Sequence, residues 1–364
     1  MKVLLASKAL VVGAHHDKLR ALASVNDVDV LAVVPDRWVE SGQVAMAERP
    51  RPRGYEVEHV SLALNGHYHL YWFRELRRLV RRFRPDVLHI DEEPYNLASA
   101  LACRDALDVG AAPVFFAWQN LSRRYPPPVR WIENYVLRCA DGIAGTERAR
   151  QVLVSKGHRR ASVVIPQFGV DPDIFVPNVN PRSNGQFVIG YAGRLVPEKG
   201  VDVLIRAVRA IGGNSVLRIA GDGPTMDHLR RLEPIVNVEF VGGVPSEEMP
   251  SFYQDLDVFV LPSVGRKGWV EQFGRAAVEA MACGVPTIVS DMGELPSVVG
   301  DGGEIVPAGD VDALSTMLRT LRGEVGRRQE LAVNGRERVL GRFTTRAVAQ
   351  ATASFYRAVV SNRS

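Results

Sequence analysis

The chain has 364 residues, 46% hydrophobic and 24% charged, with a formal net charge of +4 at pH 7. That length exceeds what one core usually supports and predicts two domains, and the composition excludes a disordered or membrane-spanning chain. So modest a charge excludes a dedicated nucleic-acid binder and leaves anionic small ligands open.

Met1-Lys2-Val3-Leu4-Leu5-Ala6 is too short an apolar stretch for a secretory leader and predicts a first buried strand. Further β-branched runs alternate with helical spacing: Val28–Val34, Val87–Ile90, Val114–Ala117 and Val163–Ile165, then Phe187–Ala192, Val216–Ala220, Val238–Val241, Val258–Leu261 and Thr287–Ser290. This rhythm predicts parallel α/β sheets. Between Trp72 and Pro85, Phe73, Leu76, Val80 and Phe83 recur at helical spacing among six arginines, which predicts a basic amphipathic helix. Such a helix is expected to be a solvated face over the sheet, with weak peripheral contact to an anionic membrane as the functional alternative. His15, His16, His67 and His69 match no metal-ligand spacing and are expected at the surface, so no metal site is expected. Cys103, Cys139 and Cys283 also lack C-x-x-C spacing, which fits free thiols in a reducing, cytoplasmic setting.

Turn formers crowd Gln167–Gly185, where the interdomain linker is expected. The domains are therefore expected at 1–168 and 185–343, each Rossmann-like and doubly wound, facing each other across a cleft. A final helix over 344–364, capped near Thr344 or Thr345, is expected to pack back on the first domain.

The second half carries the stronger chemical signals. Phe187–Ala192 runs into Gly193-Arg194-Leu195-Val196-Pro197-Glu198-Lys199-Gly200. The carboxyl end of a parallel strand is where such folds bind ligands, and a guanidinium with an ammonium complements a diphosphate. Gly221 and Gly223 close the next strand in a turn where a ligand could approach backbone amides, although Met226 breaks the dinucleotide fingerprint. Glu271 and Glu279 are eight residues apart; on one helix they would lie about 12 Å apart along the axis and about 80° around it. A helix starting near Gly274 instead leaves Glu271 in the preceding loop, beside the amides of Gln272, Phe273 and Gly274, with Glu279 on the helix. Those amides suit phosphate oxygens; the two carboxylates suit sugar and ribose hydroxyls. In the first half, Asp91 and Glu93, after the strand ending at Ile90, and Gln119 and Asn120, after Ala117, are candidates for the acceptor side; the two acids also suit a helix start.

Gly193-Arg194-Leu195…Glu198-Lys199-Gly200, Gly221-Asp222-Gly223-Pro224, Glu271-x7-Glu279 and Cys283-Gly284-Val285-Pro286 together resemble glycosyltransferase family 4, the retaining GT-B enzymes. The resemblance implies that Arg194 and Lys199 bind the donor diphosphate, that Glu271 lies by the transferred sugar and that Glu279 holds the ribose. It also assigns Gly13, in Val11-Val12-Gly13-Ala14, to the glycine loop facing the donor phosphates. Many members have a histidine where this chain has Trp118-Gln119-Asn120; Gln119 donates hydrogen bonds but is neither acid nor base. The implied activity is metal-independent transfer of a sugar from a nucleotide-diphosphate sugar to a hydroxyl acceptor, with no cofactor, in the cytoplasm or at the inner face of its membrane. A nucleotide-sugar epimerase, a phosphorylase and a noncatalytic nucleotide-sugar sensor are the competing readings, because the fold alone does not choose the chemistry.

Overall fold

A computed structural model describes residues 1–40, 43–167, 169–178, 185–232, 237–266 and 268–363. The chain divides into two compact units, one of residues 1–169 with 345–364 and the other of residues 170–344.

In the first unit the strands are β1 (Lys2–Ala6), β2 (Asp29–Pro35), β3 (Arg37–Glu40), β4 (Gln43–Met46), β5 (Glu56–Val60), β6 (Leu62–Ala63), β7 (Trp72–Phe73), β8 (Val87–Ile90), β9 (Ala112–Ala117), β10 (Asp141–Ala144) and β11 (Ser162–Val164). Among the described residues, seven form one sheet in the order β11-β10-β9-β8-β1-β2-β5, every pair parallel. The central strands are buried on both faces, as the unbroken runs Val3-Leu4-Leu5-Ala6 and Val114-Phe115-Phe116-Ala117 require. From β1 the chain builds outward first through β2 and β5, then in the other direction from β8. The gap at the carboxyl ends of β1 and β8 is therefore a topological switch point.

The second unit contains β12 (Phe187–Ala192), β13 (Ser215–Ala220), β14 (Asn237–Gly242), β15 (Val258–Leu261), β16 (Thr287–Ser290) and β17 (Glu304–Val306), in the parallel order β14-β13-β12-β15-β16-β17. Its switch point lies between β12 and β15. Val170 belongs here: its amide donates to the Phe343 carbonyl at 2.8 Å, and Phe175 is buried in the same core. Of the expected linker, residues 168 and 179–184 lie outside the described residues.

The structure corrects three local expectations. The basic helix spans Leu76–Phe83 only, because Trp72 and Phe73 pair antiparallel with Leu62 and Ala63. Arg77 and Arg82 on that helix are bound by Asp108 and Glu58, which consumes part of its charge. His16 is buried rather than superficial: it lies between the Leu10 carbonyl, at 2.9 Å, and the Tyr55 hydroxyl, at 3.1 Å. Edge strands β5 and β17 and the strand Asp141–Ala144, second from the other edge of its sheet, are too short or too polar to read from periodicity. Among the described residues, no helix is long and apolar enough to cross a membrane.

The last helix, Thr345–Ser361, packs in the first unit and buries Val348, Ala349, Ala353, Tyr356 and Val359. Its anchor is polar. Tyr356 and the His89 imidazole share a hydrogen bond, and Asp91, two residues further on, binds Lys18 and accepts from Gln167 Nε2 at 3.1 Å. Burial drives the His89 imidazole down to about 4, against the pull of Asp91. For Asp91, burial works upward, but Lys18, His89 and Gln167 outweigh it and hold the carboxyl at about 2.

Between the usual histidine value of 6.5 and about 4, the unfolded chain protonates at His89 while the folded chain does not. Stability from this group is present above pH 6.5 and falls as the pH drops toward 4, by up to about 3 kcal/mol. Urea unfolding followed across that range should show the decline, and His89→Gln should flatten it.

Candidate active site

At the switch point of the second unit, the segment leaving β12 meets the segment leaving β15. The first supplies Lys199, in the single 3-10 turn Pro197–Lys199, and the second supplies Ser263 and Glu271. Lys199 Nζ donates to Glu271 Oε2 at 2.6 Å, and Ser263 Oγ donates to the same oxygen at 2.8 Å. Glu271 is buried, and its neighbour Tyr191 is held protonated far above the usual range by burial first and by the Glu271 charge second. The Lys199 ammonium also lies over the Trp269 ring, 5.3 Å from its centroid. Ser263 and Trp269 carry no signal that sequence reasoning used; only the strand order brings them to Lys199.

Arg194 is exposed at the start of the same loop, and among the described residues nothing pairs with its guanidinium. Its carbonyl accepts from the Tyr191 hydroxyl at 2.9 Å, which ties the loop to β12. The helix Arg275–Ala282 begins after Gly274, whose φ of 77° is left-handed and whose carbonyl receives the first intrahelical bond from Ala277. The amides ahead of Ala277 at such a helix start have no intrahelical acceptor. Gln272 is exposed, whereas Phe273 packs edge-on against Phe343. Glu279 lies inside the helix, buried, with one oxygen accepting from Arg275 Nε at 2.8 Å and the other from the Tyr253 hydroxyl at 2.9 Å. Each carboxylate oxygen retains a second acceptor site, so hydroxyls can still bind Glu279.

The glycines do different work from that expected. A Cβ on Gly221, whose φ is 129°, would lie 2.0 Å from the Gly193 carbonyl oxygen, and one on Gly223 would lie 2.2 Å from the Leu195 carbonyl oxygen. The Gly221 amide is spent on the Gly242 carbonyl at 2.7 Å. What approaches these glycines is thus the backbone of the Arg194 loop. They are absent side chains that let this loop lie against β13, and Leu195 donates back to the Asp222 carbonyl at 2.9 Å.

At the switch point of the first unit, Lys8 follows β1 and Asp91-Glu92-Glu93 follow β8. Lys8 pairs with Glu92, and its backbone amide donates to the other Glu92 oxygen at 3.0 Å. The Gly13 amide already holds an anionic oxygen: Glu48 Oε2 lies 2.9 Å away. The acceptor candidates separate. Asp91 is buried in its ion pair with Lys18, beside the final helix. Glu93 is half-buried, and its Oε1 accepts from the Trp118 amide at 2.8 Å, which joins it to the Trp118-Gln119-Asn120 turn. Gln119 is held at both ends, donating to the Tyr125 hydroxyl at 3.0 Å and accepting from Lys156 at 2.6 Å. Asn120 is buried. Burial pushes the Glu93 carboxyl up to about 7, although the Trp118 amide, Lys8 and Lys156 pull it down.

Residues 16–174 match the family model described as Glycosyltransferase Family 4, and residues 174–338 match that described as Glycosyl transferases group 1. The chain belongs to the family 4, group 1 glycosyltransferases. Among curated relatives, it is 34% identical over 197 residues to a GDP-mannose-dependent alpha-(1-6)-phosphatidylinositol monomannoside mannosyltransferase of Mycolicibacterium smegmatis, covering 49% of this chain and 52% of that one. It is 32% identical over 200 residues to the capsular polysaccharide biosynthesis glycosyltransferase CapM of Staphylococcus aureus, covering 52% and 51%. The matched region spans about half the length of such relatives. The fold matches a glycosyltransferase from Rickettsia africae with a TM-score of 0.76 at 15% identity, over 99% of each chain. It also matches Anabaena HepE in complex with UDP, with a TM-score of 0.72 at 18% identity over 98% of this chain and 100% of that one. Such likeness shows the two-domain GT-B fold of this glycosyltransferase family.

Gly221→Ala should destabilise the second unit by about 1–3 kcal/mol, since the added methyl meets backbone that cannot rotate away. Chemical denaturation would measure the loss, and an unchanged midpoint would exclude the close approach.

Proposed function

We propose that this glycosyltransferase transfers a sugar from a nucleotide-diphosphate sugar to a hydroxyl acceptor with retention of anomeric configuration, its leaving diphosphate neutralised by Arg194 and Lys199 rather than by a metal ion. The observation that carries the reading is the Lys199-Glu271-Ser263 cluster at the switch point of the second unit, where parallel α/β folds take their ligands. The mannosyltransferase relative is named as GDP-mannose-dependent and HepE was solved with UDP, which supports a nucleotide-diphosphate donor without choosing its base.

As the glycosidic bond breaks, negative charge collects on the departing phosphate oxygen. Arg194, the Lys199 ammonium and the amides at the start of the helix Arg275–Ala282 oppose that charge with dipoles and cations already in place. Lys199 is poised by Glu271 before the donor arrives; as the phosphate draws the ammonium toward itself, the Glu271 carboxylate is freed to accept hydroxyls of the transferred sugar. Glu279 holds the ribose through its remaining acceptor sites. In this reading the acceptor attacks from the face the leaving group departs, and its proton passes to the departing phosphate. The names of the relatives point to saccharide or lipid-linked acceptors, and the exposed Arg78 and Arg81 on the helix Leu76–Phe83 offer an anionic membrane surface a weak point of contact.

Arg194→Ala and Lys199→Ala should each lower turnover by about a hundredfold or more, by analogy with the loss of an oxyanion donor. Acceptor-dependent release of UDP or GDP reports the rate. Near wild-type rates in both variants would overturn the assignment, and isomer formation without acceptor, or a requirement for orthophosphate, would transfer the case to an epimerase or a phosphorylase.

A further inference from the structure

Beside the carboxyl ends of β8 and β9, four rings from three separate segments converge. His69 meets Tyr68, Tyr95 and Tyr125 edge to face, at centroid distances of 5.3, 5.3 and 5.7 Å, and Tyr95 and Tyr125 lie 4.7 Å apart. Such a cluster at the end of a sheet, with Tyr68 exposed and His69 and Tyr125 half-buried, is not simply a core. Glu93 stands next to it, since its charge bears on Tyr68, Tyr95 and Tyr125 alike. One of its oxygens is used by Trp118. The other, Oε2, is shielded from solvent and has no hydrogen-bond partner among the described residues, and the same holds for His69 Nδ1 and Asn120 Nδ2. Buried polar atoms normally find partners, so unsatisfied ones beside half-open aromatic rings mark places where a ligand supplies what the protein withholds.

The charges narrow what that ligand is. Lys8 and Lys156 are the ammonium groups that act on Glu93, and each is already bound to a carboxylate of its own, Glu92 and Glu133. Both ammonium charges are offset locally, and the Glu93 carboxylate would repel a phosphate placed beside it. A tyrosine presents an apolar face with a polar rim, and a pyranose presents a CH-rich face with hydroxyls around its edge. We propose that this aromatic cluster with Glu93 is the acceptor subsite, and that it takes a neutral pyranose ring, stacked on the half-exposed Tyr125 and hydrogen-bonded through a hydroxyl to Glu93 Oε2, in preference to a phosphorylated polyol.

With its carboxyl raised to about 7, Glu93 both accepts and donates hydrogen bonds in neutral solution, which suits a hydroxyl partner better than an anion. Gln119 then has a defined part: held by Lys156 and by the Tyr125 hydroxyl, it fixes the ring on which the sugar lies.

The inference rests on the glycosyltransferase reading, and one set of measurements separates the two. Saturation-transfer NMR on the full chain would use methyl α-mannopyranoside and methyl α-glucopyranoside as probes and myo-inositol 1-phosphate as the charged competitor. Calorimetric titration with UDP and GDP would run alongside. We expect transfer to the ring protons of at least one pyranoside, weakened about fivefold in Tyr125→Ala and in Glu93→Gln, with no displacement by an equal concentration of the inositol phosphate. Both variants should keep wild-type nucleotide affinity. Tyr125 lies in a half-exposed loop, so its removal leaves the core intact; should Glu93→Gln fail to fold, Tyr125→Ala still decides. Absence of transfer from both pyranosides, equal transfer in the variants, or displacement by inositol phosphate would each overturn the subsite. If neither UDP nor GDP binds the wild type, the donor reading falls instead, whatever the pyranosides do.

Discussion

A parallel sheet whose strand order reverses must leave a gap where two neighbouring strands send their chains to opposite faces. In the second unit that gap lies between β12 and β15, and it is spanned by one ion pair, Lys199 with Glu271, steadied by Ser263. Glu271 is buried and Lys199 only partly exposed, so their attraction is less screened than that of a surface pair, and removing either partner strands a charge in poor solvent. The pair therefore keeps an ammonium fixed at the switch point, which is the charge the proposed diphosphate site calls on.

The loops that carry the pair are held by backbone packing rather than by bulk. Gly221 and Gly223 let the Arg194 loop lie on β13. Gly200 and Gly293 do the same at the other edges, where added methyls would meet the Pro262 and Glu271 carbonyl oxygens at 2.2 and 2.1 Å. A loop fixed through its main chain leaves its side chains free to face a ligand, and such preorganisation gives electrostatic stabilisation its effect. The two units also divide charge differently. Lys8, Lys18 and Lys156 in the first unit each have a carboxylate partner, whereas the exposed Arg194 in the second has none among the described residues.

The sequence by itself determined the fold class, because β-branched runs such as Phe187–Ala192 and Thr287–Ser290 are buried on both faces and so read as continuous apolar strands. It also placed the start of the helix near Gly274 and with it the separation of Glu271 from Glu279, and the structure marks that boundary with a left-handed backbone at Gly274. It missed the edge strand β5, which alternates polar residues, and it extended the basic helix back to Trp72, because Phe73 has the right spacing for a helix it does not join.

Only the tertiary structure decided which groups meet. Lys199 and Glu271 are 72 residues apart and become partners through the order of β12 and β15, which no local pattern encodes. Asp91 and Glu93 look alike in sequence, yet beyond the end of β8 the backbone is no longer a strand, and the chain turns one toward Lys18 and the final helix and the other toward Trp118 and the tyrosines. The assembly of Tyr68, His69, Tyr95 and Tyr125 into one cluster has the same origin. Local chemistry sets what each segment becomes, but the environment of a side chain is set by segments far along the chain, and that follows from packing alone.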